Sequence, residues 1–366
     1  MKQQYKLAAL AMAAALAAPS ALAQTASASN VTVYGILDTG IEFLNHTGPG
    51  DRGLVRMPSL TGSMPSRFGL RGVEDLGGGL KAGFVLESGI AVDSGALLYG
   101  GRLFGRQSLV YLSGGMGTLT LGRQFNMTAY AMLDSDILGP NTYAIADMDY
   151  ALANPRSDNA IGYMGRFDKL TVGATFSVGR DAAGPTGAQA TNCPGEMAAD
   201  KRACREWTAM LKYDGADFGL SASTGKMYGA PGALFGLVKS SYSDERTTLN
   251  AYGRLAGVKI GGGVVHHVNT SVASYTSNMY YIGAMVPAGL WQFDGQLGYN
   301  DILHSGNDAA YVALRATYNL SRRTALYGTV GQVANEGSSA IAVSPGVLTV
   351  PGATQRGLMA GLRHAF

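Results

Sequence analysis

Residues 66–87 read SRFGLRGVEDLGGGLKAGFVLE, and both halves of this stretch alternate with a period of two. In the first half Phe68 and Leu70 fall on one face, Arg67 and Arg71 on the other. After Leu76-Gly77-Gly78-Gly79, the apolar Leu80, Ala82, Phe84 and Leu86 stand opposite Lys81 and Glu87. Alternation on both sides of a glycine turn predicts a β-hairpin whose faces meet two different solvents.

The pattern spreads outward in both directions. Val31 to Leu44 places Val31, Val33, Gly35, Leu37, Thr39, Ile41 and Phe43 on one face, and Thr32, Tyr34, Asp38 and Glu42 on the other. Short turns recur at Gly114 to Gly117, Arg166 to Lys169, Asp214 to Asp217, Ala256-Gly257, Pro287 to Gly289 and Ser321-Arg322. Longer polar stretches separate them, at 45–65 and near 92–101, 126–158, 180–204, 227–244, 269–274, 302–307 and 336–354. Seven tight connections interleaved with eight long ones join sixteen strands. An even number of strands, turned tightly at one end and loosely at the other, is the plan of a transmembrane barrel. In hydrocarbon an unpaired backbone N–H or C=O costs several kcal/mol, so such a sheet has to close. The C-terminal segment is built for closure. Leu358, Ala360, Leu362, His364 and Phe366 share one face, and the chain stops on the aromatic ring.

Composition agrees. Charged residues are 14% of the chain, against roughly 25% in soluble globular proteins. There are 52 Gly and 19 Tyr but only two Cys. The first residues stand apart: Lys2 and Lys6 precede an apolar run from Leu7 to Ala18, and Ala21-Leu22-Ala23 offers small residues for cleavage. This predicts a signal peptide over 1–23 and a barrel over 24–366. Beyond it no window approaches the roughly 20 apolar residues of a spanning helix. Without Lys2 and Lys6, 26 basic residues face 25 acidic ones, a balance that argues against nucleic acid as a partner. Cys193 and Cys204 lack metal or redox spacing, and export makes them a candidate disulfide.

Several blocks together carry a family resemblance: VTVYGILD at 31–38, SRFGLRGVEDLGGGLKA at 66–82, FGRQ at 104–107, GTLTLGRQ at 117–124 and GLRHAF at 361–366. In this order they resemble the trimeric Gram-negative general porins of the β-proteobacterial type, over essentially all of the mature chain. The resemblance implies an all-β, 16-stranded antiparallel transmembrane barrel with short periplasmic turns and long extracellular loops. It also implies an inward-folded third loop, a homotrimer and residence in the outer membrane. Lipid, lipopolysaccharide and the barrel-assembly machinery are then the expected surroundings, the last through a C-terminal strand whose Phe366 serves as the assembly signal.

By the same resemblance, residues 126–158 are the constriction loop. The stretch is acidic, with Asp134, Asp136, Asp147, Asp149 and Asp158 against Arg156, and Asn126 is a fitting N-cap for a turn of helix over 126–133. The expected throat sets Asp134, Asp136, Asp147 and Asp149 against a basic wall. Alternation assigns Arg67 and Arg71 to that wall, and the family pattern adds Arg106 and Arg156. Arg106 conflicts with simple alternation, sharing parity with Ser108, Val110 and Leu112 on the lipid side; only a bulge or register change turns it inward. Opposed charges would set up a transverse field that screens solutes by charge as well as size. The bland reading has these residues merely tie a surface loop down.

No catalytic, cofactor or metal site emerges. His266 and His267 are adjacent, so they point to opposite faces of a strand. Gly-x-Ser-x-Gly is missing, and Gly219 to Lys226 fails the phosphate-loop spacing. Three functions fit a barrel: passive diffusion of small hydrophilic solutes and ions, a substrate-selective channel with a lumenal binding track, and an adhesive or enzymatic surface on the loops. The first accounts for the most residues.

Overall fold

The computed structural model describes residues 30–60, 62–139, 141–181 and 191–366; the expected signal peptide lies outside them. The strands are β1 (Asn30–Thr47), β2 (Arg52–Arg56), β3 (Arg67–Gly77), β4 (Leu80–Gly89), β5 (Gln107–Gly114), β6 (Gly117–Phe125), β7 (Arg156–Phe167), β8 (Leu170–Ser177) and β9 (Glu206–Asp214). They continue with β10 (Phe218–Tyr228), β11 (Ser243–Leu255), β12 (Val258–Thr270), β13 (Tyr275–Ala288), β14 (Trp291–Ile302), β15 (Ala309–Asn319), β16 (Thr324–Asn335) and β17 (Thr354–Ala365). From β3 to β17 each strand pairs antiparallel with the next, and β1 closes the cylinder between β17 and β3. Sixteen strands are therefore the staves. The additional β2, a short strand inside the first long loop, forms a hairpin with the end of β1 through Glu42↔Arg56 and Leu44↔Leu54.

Closure reaches the last residue. The Phe366 N–H donates to the Gly35 carbonyl at 3.0 Å, and the Gly35 N–H donates back to the Phe366 carbonyl at 3.1 Å. A Cβ on Gly35 would lie 2.3 Å from the Phe366 ring, so glycine there makes room for the terminal aromatic.

The alternation sorts the side chains as two solvents demand. Val33, Ile41, Val110, Leu121, Leu211, Leu249, Ile282, Leu297 and Leu314 are exposed on the outer wall. Asp38, Glu42, Ser223, Asn250, Gln296 and Arg315 are buried inside. Beside the turn after β13, the Trp291 ring lies 5.9 Å from Phe293 and 4.8 Å from Tyr318, an aromatic girdle at the membrane interface. His266 and His267 diverge as adjacent strand residues must. His266 meets Asn278 in an exposed contact, and His267 turns inward to Asp244 at 2.9 Å.

The apolar core lies inside the cylinder, where the loop meets the wall. Tyr143, Ala144, Ile145, Met148 and Leu152, from the long connection between β6 and β7, pack on Val265, Met279, Tyr281, Tyr311, Tyr327 and Met359 of the wall. Burial of Ile145, Met148 and Leu152 contributes about 1.5–3 kcal/mol each. Glycines in the wall allow the approach: a Cβ on Gly357 would lie 2.3 Å from the Tyr143 hydroxyl oxygen, and one on Gly261 would lie 2.4 Å from the Ser135 carbonyl oxygen.

Candidate functional site: the loop folded into the lumen

The loop begins with helix Met127–Met132, and the Asn126 side chain accepts from the Ala129 N–H at 3.2 Å, the N-cap expected from sequence. A 3-10 turn, Ile145–Met148, and a short helix, Tyr150–Ala153, lead back to the wall. Polar contacts fix the loop across the lumen. The Tyr311 hydroxyl donates to the Tyr143 carbonyl at 2.5 Å, and the Ser135 and Tyr281 hydroxyls are 2.7 Å apart.

The four acids of this loop are mostly turned to the wall behind it. Asp134 accepts from Lys212 at 2.6 Å and from Lys259 at 3.2 Å. Burial opposes its charge, yet the two ammonium groups outweigh burial and hold the carboxyl below the usual carboxylate range. Asp149 is likewise buried but held low by Arg246, at 2.8 Å, and by His267, at 3.6 Å. Asp136 accepts from Gln296 at 2.8 Å and from the Gly139 N–H at 3.2 Å, and burial pushes its carboxyl up. Burial pushes Asp147 well above the ordinary value, with Glu42 and Asp136 adding to the effect. The physical reason is desolvation: a carboxylate wedged between a loop and a wall needs a cation or a proton.

Of the four arginines expected at the wall, Arg67 and Arg106 border the cavity between loop and wall, and Arg71 and Arg156 do not. Arg67 Nε lies 3.6 Å from Glu87, and the Arg71 guanidinium sits 5.2 Å over the Tyr34 ring. Arg106 lies just before β5. Its N–H donates to the Glu87 carbonyl while Gln107 stands opposite Glu87 in the register. Two residues thus face one, which is a β-bulge. The bulge turns the Arg106 side chain inward to Glu87 at 2.6 Å and to the Tyr99 hydroxyl at 3.1 Å. Arg156 does not line open water. It is 3% exposed, with its guanidinium 4.8 Å over Tyr99 and 4.3 Å over Phe125, and it anchors the end of the loop.

A cavity of about 540 Å³ opens between loop and wall. Arg67, Arg106, Arg315 and Arg363 line its wall side with Glu87, Gln107 and Gln292. The loop lines the other side with Tyr130, Met132, Leu133, Ile137, Leu138 and Asp136. Glu87 and Asp136 are the carboxyl groups on this lining; Arg67 and Arg106 share Glu87, Arg315 is paired from behind with Asp294 at 2.9 Å, and burial pushes the Asp136 carboxyl up. The expected row of carboxylates is replaced by a largely apolar loop face.

Arg315 and Arg363 were absent from the expected site. Both had a signal, since Arg315 alternates with the lipid-facing Leu314 and Arg363 with Leu362. Alternation gives the face but not the height along the barrel, so it does not say which inward arginines reach the narrows. Cys193 and Cys204 form a disulfide, with Cα atoms 5.2 Å apart. No group of three or more His, Cys, Asp or Glu poised to hold a metal occurs among the described residues.

A family model described as Gram-negative porin matches residues 8–338. Outer membrane porin protein 32 of Delftia acidovorans is 31% identical, over 98% of this chain and 99% of the relative. Among solved structures, the anion-selective porin from Comamonas acidovorans superposes with a TM-score of 0.75 at 25% identity, covering 92% of this chain and 100% of that one. The trimer form of OmpT, an outer membrane protein of Vibrio cholerae, shares the fold with a TM-score of 0.65 at 12% identity, over 93% of this chain and 100% of that one. With a sealed sixteen-stave cylinder, a loop folded across its lumen and relatives matched end to end, this chain belongs to the Gram-negative porin family.

Proposed function

We propose that this outer-membrane channel passes small hydrophilic solutes by passive diffusion, prefers anions and works as a homotrimer without enzymatic activity. One observation carries the anion preference: around the cavity Arg67 and Arg106 share the one carboxylate of Glu87 and Arg363 makes no ion pair within 4 Å among the described residues, while the loop face opposite them is largely apolar. Asp134 and Asp149 are paired with wall cations, and burial pushes the carboxyls of Asp136 and Asp147 up. The surplus of positive charge then acts on permeating ions through a narrow, partly desolvated throat, where it repels cations and draws anions.

Arg67 and Arg106 line the throat in this reading, and Arg71 lies along the approach to it. The acids and Arg156 hold the loop in place. The porin from Comamonas acidovorans is anion-selective, which supports the sign. The trimeric OmpT form supports the assembly. Phe366, on the strand that closes the barrel, is the feature offered to the assembly machinery.

Swelling of proteoliposomes tests this reading. Rates should rise in proportion to solute concentration, and an anion should enter faster than a cation of equal size. A plateau at modest concentration would instead indicate a lumenal binding track, and a faster cation would reverse the charge assignment.

A further inference from the structure

We infer that the disulfide-pinned turn from Arg202 to Arg205 is a binding site for the phosphate groups of the outer-leaflet glycolipid. The site is on the outside of the barrel, away from the lumen, and is independent of ion selectivity.

Its floor is a row of side chains on the lipid-facing wall at the long-loop end. Phe176, Trp207 and Lys226 are register neighbours across β8, β9 and β10, and Tyr228 follows on the same face. Phe176 is 41% and Trp207 38% exposed, as aromatics are where hydrocarbon gives way to headgroups. Above them the turn is held in place. The Arg205 N–H donates to the Arg202 carbonyl at 3.2 Å, the Cys204 N–H to the Gly229 carbonyl at 3.1 Å and the Tyr228 N–H to the Arg205 carbonyl at 2.8 Å. Cys204, between the two arginines, is tied to Cys193.

Each arginine therefore rests on a ring, Arg202 at 4.1 Å over Tyr228 and Arg205 at 5.8 Å over Phe176. Stacking of this kind holds a guanidinium in place and leaves its N–H edge for an acceptor.

The charges nearby leave Arg205 uncommitted and engage Arg202 only through the electrostatic pull of Asp200. Lys226 is also stacked on Tyr228, at 5.5 Å, but it is ion-paired with Glu245. Asp200 accepts the Arg202 backbone N–H at 3.0 Å and a hydroxyl hydrogen bond from Ser240. Neither Arg202 nor Arg205 makes an ion pair with any described residue, and the Arg205 Nε is shielded from water with no hydrogen-bond partner among them. A shielded donor without an acceptor is costly. A phosphate oxygen would satisfy it, and paired guanidinium groups match phosphate with forked, charge-assisted hydrogen bonds. The ligand that presents phosphates at this height, with acyl chains running down past Trp207 and Phe176, is a phosphorylated glycolipid.

The test uses the full-length porin, stripped of lipopolysaccharide and placed in nanodiscs. The probes are diphosphoryl lipid A, the same lipid with its phosphates removed, and inorganic phosphate. Diphosphoryl lipid A should bind about tenfold tighter than the dephosphorylated form, and Arg202→Gln with Arg205→Gln should abolish that difference. Arg202→Lys with Arg205→Lys should retain part of it, and Cys193→Ser with Cys204→Ser should weaken it severalfold. Arg322→Gln with Arg323→Gln, at the opposite rim, should leave it unchanged. Unchanged single-channel conductance in each variant verifies that the barrel is intact. The inference is overturned if both lipids bind alike, if the double Gln variant still discriminates, or if the opposite-rim variant loses as much. Competition by equimolar inorganic phosphate would mark a free-anion site and overturn the lipid assignment. Dissociation of trimers in the double Gln variant would mark the patch as a protein contact.

Discussion

Arg363→Gln should lower the anion-to-cation permeability ratio about fourfold, on the following magnitudes. Arg363 lines the cavity from the last strand and donates to the Ser63 hydroxyl at 3.2 Å. It makes no ion pair within 4 Å among the described residues; Asp38, its register partner, instead accepts from the Ser63 hydroxyl at 2.5 Å, the Met64 N–H at 2.8 Å and the Tyr327 hydroxyl at 2.6 Å. An ion passing about 6 Å from a unit charge in water-like dielectric feels about 0.7 kcal/mol. Screening at about 0.1 M salt reduces this to about 0.4 kcal/mol. The field acts with opposite sign on anion and cation, so the ratio changes by about 0.8 kcal/mol, or roughly fourfold. The assay is the reversal potential of the variant and the parent in planar bilayers under the same KCl gradient. An unchanged ratio, with conductance intact, would refute the placement of Arg363 at the narrows.

Asp134→Asn leaves Lys259 without its carboxylate, so the same measurement should move toward anions, by about twofold. For Asp147 the sign follows from burial. Its folded-state value is raised, so the protonated form is favoured in the native loop, and native stability falls as pH climbs from the ordinary carboxylate range through that raised value. Heat-modified mobility on gels should therefore show the parent losing stability relative to Asp147→Asn as pH rises; parallel profiles would contradict this. Asp149 runs the other way. Held low by Arg246 and His267, it contributes stability above the ordinary carboxylate range that is lost as pH falls through its depressed value, and Asp149→Asn should flatten that acid limb. Deleting Phe366 removes the paired hydrogen bonds to Gly35 and should cut the yield of folded trimer in membranes several-fold, with normal yield counting against its part in assembly.

The cylinder was legible because lipid and water sort side chains residue by residue. Val31 to Leu44 and Ser66 to Glu87 state the inner and outer face directly, and the tight turns place the strand ends within a few positions. The five residues of β2 were hidden inside the loop 45–65, where pairing depends on proximity to the end of β1 rather than on any alternation of its own. Arg106 could not be placed by parity, since a bulge opposite Glu87 breaks the count. The acids were identifiable by type but not by direction. A loop inserted into a barrel has two faces, one toward the throat and one toward the wall, and only tertiary packing decides that Asp134 meets Lys212 while Leu133 faces the opening. Arg315 and Arg363 show the complementary limit: alternation turned both inward, and the height of the loop brought them into play.

Anion preference requires a surplus of positive charge at the narrows, and the sign of the reversal potential of the unmodified channel tests that surplus most directly. In planar bilayers at neutral pH under a KCl gradient, chloride should permeate faster than potassium. A preference for potassium, or the absence of ohmic conductance, would contradict the arrangement of Arg67, Arg106, Arg315 and Arg363 around an open lumen.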